Sequence, residues 1–331
     1  MTVLVTGCAG FIGFHLARSL LDRGERVVGF DNLNSYYDPA LKSARLAMLR
    51  RHAGFAFVRG DLAYAETVLS LAESHSTIDR IVHLGAQAGV RFAERDPFTY
   101  ADANLKGQVA VLELARRLPR LSHLVYASSS SVYGGNTKVP FAETDPVDRP
   151  LNLYAASKRG AEVIAQAYAH LHGLPCTGLR FFTVYGPWGR PDMAYFSFAE
   201  AIAAGRPITV FAEGSLRRDF TWIEDIVAGL LGALDAGPAV AARPDGPGEA
   251  PHRIYNLGNR RAEPVERLVS LLERALGRPA IRELAPKPRA DAAETFADIA
   301  RAETDFGFAP TTTLDEGIPR FVAWFRAWKG V

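Results

Sequence analysis

The hydrophobic pattern of the first 182 residues switches repeatedly between the period of a strand and that of a helix. Apolar positions at helical spacing predict helices near residues 11–21, 101–118 and 154–172. Because these helices alternate with short apolar runs, the pattern predicts an α/β fold with a doubly wound parallel sheet. The runs that predict buried strands are TVLVT (2–6), RVVGF (26–30), FAFVRGDL (55–62), the start of RIVHLGAQAGVRF (80–92), LVYA (124–127) and CTGLRFF (176–182).

The pattern changes after Phe182. Gly, Pro and aromatic residues dominate 183–198, which predicts a substrate lid without regular structure. Residues 208–227 predict a pair of short strands, then Arg217 and Arg218 before a helix. Further along, the sequence predicts a mobile loop (237–252), another strand (254–259), and two or three helices in the last 70 residues. We therefore expect a dinucleotide-binding domain over 1–182 and a smaller α/β substrate domain over 183–331, partly interleaved with the first.

Three glycines, Gly7, Gly10 and Gly13, lie between the first strand and the first helix. In such a turn glycine permits a tight bend and brings backbone N–H groups close to a pyrophosphate. The spacing is G-x-x-G-x-x-G rather than the G-x-G-x-x-G of the dinucleotide fingerprint, so the glycines can serve the same purposes although the motif differs. Asp31 ends the second strand, where an acid accepts hydrogen bonds from the ribose hydroxyls and repels a 2′-phosphate. The pattern predicts NAD as cofactor rather than NADP.

Three other polar residues follow or end predicted strands. Asp61 is a candidate for the adenine amino group or an ordinary turn aspartate. Arg91 is placed either to meet a ligand phosphate or to lie free at the surface. His83 has no neighbours at metal-ligand spacing, so we predict a hydrogen-bonded core histidine and no metal site.

Tyr154 and Lys158 are four residues apart at the start of a predicted helix and therefore share one face. A nearby ammonium favours the ionised phenol, and lowering a tyrosine pKa from about 10 to about 7 requires roughly 4 kcal/mol. Lys158 together with a cationic cofactor is expected to supply it, giving a general base near neutral pH. The serine run 128–131 ends the fifth strand, at the edge where doubly wound sheets bind ligands.

Composition narrows the class of protein to which this chain is expected to belong. The 331 residues are 48% hydrophobic and 22% charged, as in ordinary globular proteins, and the net charge of +2 gives no reason to expect nucleic acid or membrane as partner. Two cysteines make no disulfide framework, which fits a reducing compartment. No apolar run reaches transmembrane length, and no cleavable leader is evident. We expect a cytoplasmic protein.

Four segments resemble a known family: HLGAQAGVR (83–91), ASSSSVYGGNTKVPF (127–141), LRFFTVYGPWGRPDMAYF (179–196) and RDFTWIEDIV (218–227). Over essentially its whole length the chain resembles the extended short-chain dehydrogenase/reductases, and more narrowly their UDP-glucuronate 4-epimerases. The likeness implies NAD-dependent, reversible conversion of UDP-glucuronate into UDP-galacturonate through a 4-keto sugar. It also implies a homodimer formed through the helices near 102–118 and 154–172.

The resemblance assigns roles to individual positions. It implies Tyr154 as catalytic acid/base, Lys158 as its pKa partner and ribose ligand, and Ser129 as the hydrogen-bond partner of the sugar O4. The implied contacts to NAD are Gly7, Gly10, Phe11, Ile12, Gly13, Asp31, Asn32, Asp61, Leu62, Leu84, Ala86, Gln87 and Asn104, besides Tyr154 and Lys158.

The substrate contacts follow in the same way. Ser130, Ser131 and Thr183 would hold the C6 carboxylate, Arg190 would position the sugar, and Arg218 would bind the diphosphate. Arg91 and Asp291 complete the implied set. One segment departs from the family, which tends to have Pro-Gly-Asp where this chain has Arg289, Ala290 and Asp291, so the uridine-end contacts there are in doubt.

Related reactions and one other class compete with this interpretation. A 4,6-dehydratase usually carries Asp-Glu where this chain has Ser130 and Ser131. UDP-glucuronate decarboxylases carry a glutamate at the position of Ser131, so epimerisation is favoured. A UDP-glucose/galactose 4-epimerase is the alternative if Thr183 and Arg190 do not contact the sugar. A non-catalytic NAD-binding scaffold often lacks the tyrosine or the lysine, both of which are present here.

Overall fold

The fold is built on parallel strands that alternate with helices, as seen in a computed structural model that describes residues 1–237, 250–288 and 292–331. The strands are β1 Thr2–Thr6, β2 Arg26–Asp31, β3 Phe55–Arg59, β4 Arg80–His83, β5 His123–Ser129, β6 Cys176–Phe181, β7 Thr183–Tyr185, β8 Pro207–Phe211, β9 Arg217–Trp222, β10 His252–Leu257, β11 Ala262–Pro264, β12 Ile281–Ala285 and β13 Glu294–Thr295.

Most helices cover the two faces of the sheet or pack in the second unit. They are α1 Phe11–Asp22, α2 Pro39–Leu49, α3 Ala65–Leu69, α4 Leu71–Ser74, α5 Pro97–Tyr100, α6 Gly107–Arg117, α7 Leu153–His172, α8 Ala194–Ala204, α9 Ile223–Ala236, α10 Val265–Leu276, α11 Ala300–Phe306 and α12 Leu314–Lys329. Short 3₁₀ turns cover 91–94, 130–133 and 212–214, and a π-helical turn covers 101–106.

The main sheet has seven strands in the order β10-β6-β5-β4-β1-β2-β3, and all neighbouring pairs are parallel. This confirms the predicted doubly wound sheet. The strand order reverses between β1 and β4, which places a crevice at the carboxyl ends of these strands. Alternate residues of β1 show how both faces are buried, since Val3 and Val5 pack with Phe14 of α1 and Leu4 packs with Leu112 of α6.

The second unit surrounds a smaller sheet in which β9 pairs with β7, β11 and β13, with β8 and β12 forming a separate pair. Helices α8, α10 and α12 pack together beside it, and Phe196, Phe321 and Phe325 meet in edge-to-face and tilted contacts. β10 follows this region in the chain but pairs with β6 of the main sheet. The chain therefore returns to the first unit after entering the second.

Two local predictions for the region after Phe182 are wrong. Residues 183–198 are not all loop, because β7 and the first turns of α8 lie within them and bury Tyr185 and Tyr195. β8 and β9 do not pair with each other, and Arg217 and Arg218 are the first residues of β9 itself. Most of the loop predicted over 237–252 lies outside the described residues, as do residues 289–291, including Arg289 and Asp291.

Candidate active site

The turn between β1 and α1 brings backbone very close to backbone. Gly7 has φ +70°, and a Cβ there would lie 2.8 Å from the backbone nitrogen of Gly85. A Cβ at Gly13 would collide with the carbonyl oxygen of Gly7. α1 begins after Gly10 with no side chain capping its first N–H groups. The turn is thus suited to an anionic group, because close approach and free helix N–H groups are what a pyrophosphate requires.

Acidic side chains at the ends of β2 and β3 organise the adjoining loops. Asp31 accepts hydrogen bonds from the backbone N–H groups of Ala9 (3.0 Å) and Leu33 (2.8 Å). Asp61 accepts one from the Asn32 side chain and one from the Ala63 N–H, both at 2.9 Å. Both carboxylates face the same crevice, with oxygen lone pairs left for further donors.

A single cavity of about 1080 Å³ runs from this turn across the carboxyl ends of the strands to β8 and β9. Its volume suits a dinucleotide and a second ligand together. Most of the residues predicted from the sequence line it: Gly7, Gly10, Phe11, Ile12, Gly13, Asp31, Asn32, Asp61, Leu62, Leu84, Ala86, Gln87, Ser129, Ser130, Ser131, Tyr154, Lys158, Thr183, Arg190 and Arg218.

Asn104, predicted as a cofactor contact, lies behind the cavity wall. Its side chain accepts a hydrogen bond from the Gln87 N–H (2.8 Å) and donates to the Gln87 carbonyl (3.0 Å) and to Ser157 Oγ (2.9 Å). The π-helical turn 101–106 presents this side chain. Asn104 therefore positions Gln87 and α7. Arg91 begins the 3₁₀ turn 91–94, and its predicted phosphate contact stays a prediction.

Tyr154 stands at the beginning of α7, which Asn152 caps by accepting a hydrogen bond from the Ala155 N–H (2.8 Å). Burial raises the pKa of Tyr154 above its usual value, although a hydrogen bond with Ser129 and the charge of Arg190 act to lower it. The predicted shift of this pKa towards 7 depends on Lys158 together with a cationic cofactor, and it stays a prediction. The phenol is a proton donor in this state.

Lys158 is buried one turn further along α7. Its ammonium donates to the backbone carbonyl of Ala127 (2.9 Å) at the end of β5. Burial lowers the pKa of Lys158 to about 8, and the charge of Glu162 opposes this shift. Lys158 is therefore held between α7 and the strand that carries the serines, rather than against the Tyr154 phenol.

Glu162, one turn beyond Lys158, fixes α7 to the sheet. It accepts hydrogen bonds from Ser128 Oγ (2.6 Å) and from the Arg180 guanidinium (2.8 and 2.9 Å). Burial acts to raise the pKa of Glu162, but Arg180 outweighs it and the pKa lies below the usual range. Two adjacent strands, β5 and β6, thus hold the helix that carries Tyr154.

The serine run turns away from the strand where β5 ends. Ser129 Oγ accepts a hydrogen bond from the Ser131 N–H and donates to Ser131 Oγ, both at 3.2 Å. Ser130 and Ser131 occupy the 3₁₀ turn that follows, and Thr183 opens β7 nearby on the cavity wall. These side chains gather four neutral hydroxyl groups beside Tyr154.

A charged cluster on the cavity wall combines Arg190, a predicted substrate contact, with Asp192, Tyr36 and Lys42, which were not predicted. Arg190 donates to both carboxylate oxygens of Asp192, at 3.0 and 2.5 Å, and Tyr36 donates to Asp192 at 3.0 Å. Lys42, which donates to the Asn34 side chain at 2.6 Å, also lines the cavity. Tyr36 and Lys42 follow the carboxyl end of β2, so the rule that selected Asp31 could have found them.

Other predictions concern groups outside this chemistry. His83 hydrogen-bonds to Thr6 Oγ1 at 2.7 Å, and burial lowers its pKa to about 3, which confirms a neutral core histidine. Both cysteines are buried free thiols. Among the described residues no cluster of metal-ligating side chains occurs, and none of the helices there has the length and apolar character needed to cross a bilayer.

Sequence comparison gives this arrangement a family. Residues 3–258 match the NAD dependent epimerase/dehydratase family. The chain belongs to that family. The NAD in the family's description agrees with the uncapped α1, the close glycine packing and the Asp31 carboxylate, which together fit a dinucleotide.

Curated relatives are similar over nearly the whole chain. UDP-glucuronate 4-epimerase 4 of Arabidopsis thaliana is 47% identical over 99% of this chain and 76% of its own length. The probable UDP-glucuronate 4-epimerase of Rhizobium meliloti is 45% identical over 98% of this chain and 97% of its own. A crystal structure of UDP-glucuronic acid 4-epimerase from Bacillus cereus with UDP-glucuronic acid and NAD superposes with a TM-score of 0.89, at 29% identity, covering 99% of this chain and all of that one.

The buried ammonium of Lys158 makes stability depend on pH. The pKa of this group is about 8 in the fold and about 10.4 in an unfolded chain, so between these values the unfolded state binds more protons and stability rises with pH. We expect the free energy of unfolding of the wild type to rise by about 2 kcal/mol relative to Lys158→Met between pH 8 and pH 10, as measured by urea denaturation of NAD-stripped protein.

The control is Lys106→Met, at an exposed position of the π-helical turn, which should retain the wild-type rise. A Lys158→Met protein whose stability follows that of the wild type across this range would contradict the assignment.

Proposed function

We propose that this protein is an NAD-dependent UDP-glucuronate 4-epimerase that interconverts UDP-glucuronate and UDP-galacturonate. The observation that carries the proposal is the position of Tyr154 beside Ser129 and a group of hydroxyls, in the same cavity as the dinucleotide-binding turn. The relatives and the Bacillus cereus complex support the choice of sugar.

Tyr154 exchanges a proton with O4 of the sugar. When bound, NAD⁺ would supply reversible hydride transfer at the sugar C4 and a positive charge that favours the ionised phenol. Among the side chains, Arg190 acts against the burial that raises the pKa of Tyr154, and Asp192 acts with that burial. Ser129, which already hydrogen-bonds to Tyr154, is placed to hold O4 while the proton moves.

Inversion requires the 4-keto sugar to turn over, so that the hydride removed from C4 would return to the opposite face while Tyr154 gives the proton back to O4. The sugar must therefore turn while the nucleotide stays fixed. Arg218, at the start of β9, lies on the cavity wall and is distant from Tyr154 in sequence. Its guanidinium is suited to bind the diphosphate of the substrate. Since the substrate undergoes no net redox change, the cofactor is expected to remain bound through many turnovers.

The carboxylate at C6 makes decarboxylation a competing reaction, because a 4-keto uronate is a β-keto acid and loses CO₂ readily. Ser130, Ser131 and Thr183 offer neutral hydroxyl donors on one wall. Arg190, which also lines the cavity, is already neutralised by Asp192. Held by neutral donors, the carboxylate is kept away from the orbital alignment that cleavage of the C–C bond requires.

The first test is a proton NMR time course with UDP-glucuronate and no added cofactor. Conversion towards a mixture with UDP-galacturonate is expected, which would establish epimerisation and retained NAD together. Tyr154→Phe should lower the rate by about 10³-fold, within the usual range for losing a general acid/base. Tyr168→Phe, which removes a hydroxyl bound to Glu113 further along the same helix, should leave the rate unchanged.

Other products would overturn the proposal in defined ways. A UDP-pentose or its keto form would identify a decarboxylase. Turnover of UDP-glucose with UDP-glucuronate untouched would mean that the carboxylate contacts are wrongly assigned. No turnover of either sugar, even with added NAD, would favour the non-catalytic scaffold.

Removing a hydroxyl that donates a hydrogen bond to the C6 carboxylate of the substrate should change the product of the reaction and not only its rate. In Ser130→Ala and Ser131→Ala we expect a measurable fraction of decarboxylated product in the same NMR assay, because the carboxylate gains freedom to align for cleavage. Ser128→Ala is the matched control, since its hydroxyl bonds to Glu162 instead. Product ratios equal to those of the wild type would refute the proposed role of these hydroxyls.

We also propose a homodimer, formed through α7 with α5 rather than through α6 and α7 as the resemblance implies. Exposed apolar side chains lie there, with Phe98 77%, Val163 52% and Leu171 70% exposed, whereas the apolar residues of α6 are mostly buried within the chain. Sedimentation velocity should give twice the mass of one 36.0 kDa chain, and Val163→Glu should give the mass of one chain. A wild type that sediments as a single chain would exclude the dimer.

We place the protein in the cytoplasm, where its two free buried thiols stay reduced. Cell fractionation that recovers the protein outside the cytoplasmic fraction would contradict this placement.

A further inference from the structure

The substrate loop, residues 186–193, lies against the part of the fold that faces the cofactor. It carries Arg190 and Asp192 into the cavity. The glycine turn, residues 7–13, belongs to a different unit of the chain from the substrate loop. The turn precedes α2 in sequence, whereas the loop follows it. A single side chain from α2 contacts both segments.

That side chain is Arg45. One guanidinium nitrogen, Nη1, donates to the carbonyl of Ala9 in the glycine turn (2.8 Å) and to the Tyr37 hydroxyl (2.7 Å). The other, Nη2, donates to the carbonyls of Trp188 (2.5 Å) and Gly189 (3.1 Å) in the substrate loop. The planar fork of arginine is what allows one side chain to bond two backbone segments at once.

The charge of Arg45 is fully buried, at 0% exposure. Across the described part of the chain no carboxylate lies within ion-pair distance of it, and its Nε has no hydrogen-bond partner. Burial lowers the pKa of Arg45. Burying an arginine without a carboxylate partner costs folding free energy. Its presence here therefore implies a role that an apolar side chain could not fulfil.

The substrate loop is shaped around this contact. Trp188 has φ +59°, an unusual conformation for a residue other than glycine, and its carbonyl is directed to Arg45. Its ring packs on Phe14, Trp324 and Trp328, which fixes the residue from the outside. His15 of α1 makes a second contact, to the Pro187 carbonyl at 2.9 Å, and its ring packs on Phe11, but it makes no hydrogen bond to the Ala9 carbonyl that Arg45 binds.

We propose that Arg45 is a positioning residue that couples NAD at the glycine turn to the conformation of the substrate loop. Ordering the turn around the dinucleotide fixes the Ala9 carbonyl, and Arg45 passes that constraint to the carbonyls on either side of the Trp188–Gly189 bond. Arg190 and Asp192 are then set for the sugar before it arrives. The role of the loop in sugar binding rests on the proposed function, whereas the coupling to NAD rests on the family alone.

The test is amide hydrogen exchange in peptides covering 186–193, with NAD-bound and NAD-stripped protein. In the wild type NAD is expected to slow exchange of these amides by about tenfold, a typical coupling between sites. In Arg45→Lys the protection should fall below about twofold, because one ammonium keeps the charge but cannot bond both segments. Arg50→Lys, the same change at an exposed position just after α2, should behave as the wild type.

Each outcome decides the matter. Equal protection in the wild type and Arg45→Lys would overturn the proposal and assign the effect to direct contact with NAD. Unchanged exchange in the wild type would overturn it without any variant, so the proposal stays testable if Arg45→Lys does not fold. Since no sugar is used, failure of the epimerase assay with intact coupling would refute the proposed function alone.

Discussion

The close packing of the turn between β1 and α1 is the constraint on which the site depends. Gly13 leaves no room for a Cβ against the Gly7 carbonyl, and Gly7 none against Gly85, two residues after the end of β4. This approach brings α1 over the point where the strand order reverses and leaves its N–H groups facing the crevice. Every other functional group, from Asp31 to Tyr154, is placed relative to that crevice by the strand or helix that precedes it.

The sequence was sufficient where structure is decided locally. Periodicity located β1 to β6 and the helices α1 and α7, because each buries a continuous apolar run or stripe. It also predicted two short strands within 208–227, where β8 and β9 lie, but not their pairing, since their partners β12, β11 and β13 are distant in sequence and pairing of short strands leaves no local signal. Gly and Pro at 186–191 suggested a loop through residue 198, although the chain becomes helical at Ala194.

Site prediction followed the same division. Residues at strand ends, such as Asp31, Asp61 and Ser129, reach the cavity, because the carboxyl ends of parallel strands share one edge. The segment 32–54 was given no element, and it contains Tyr36, α2 and Arg45. The pKa of Tyr154 shows a further limit: spacing reveals that a lysine is one turn away, but not that burial dominates or that Lys158 is turned to a carbonyl.

The two charged contacts that close the site differ in their energetics. Arg190 is neutralised by Asp192 within its own loop, so that pair costs little when the loop moves as a unit. Arg45 is held by backbone carbonyls and a hydroxyl from separate parts of the chain. The free-energy cost of burying its charge is therefore offset only while those parts stay together. If the loop departs, a buried cation loses half its acceptors. The fold thereby makes an open substrate loop unfavourable through the lost hydrogen bonds of a buried cation, in addition to the apolar packing of Trp188.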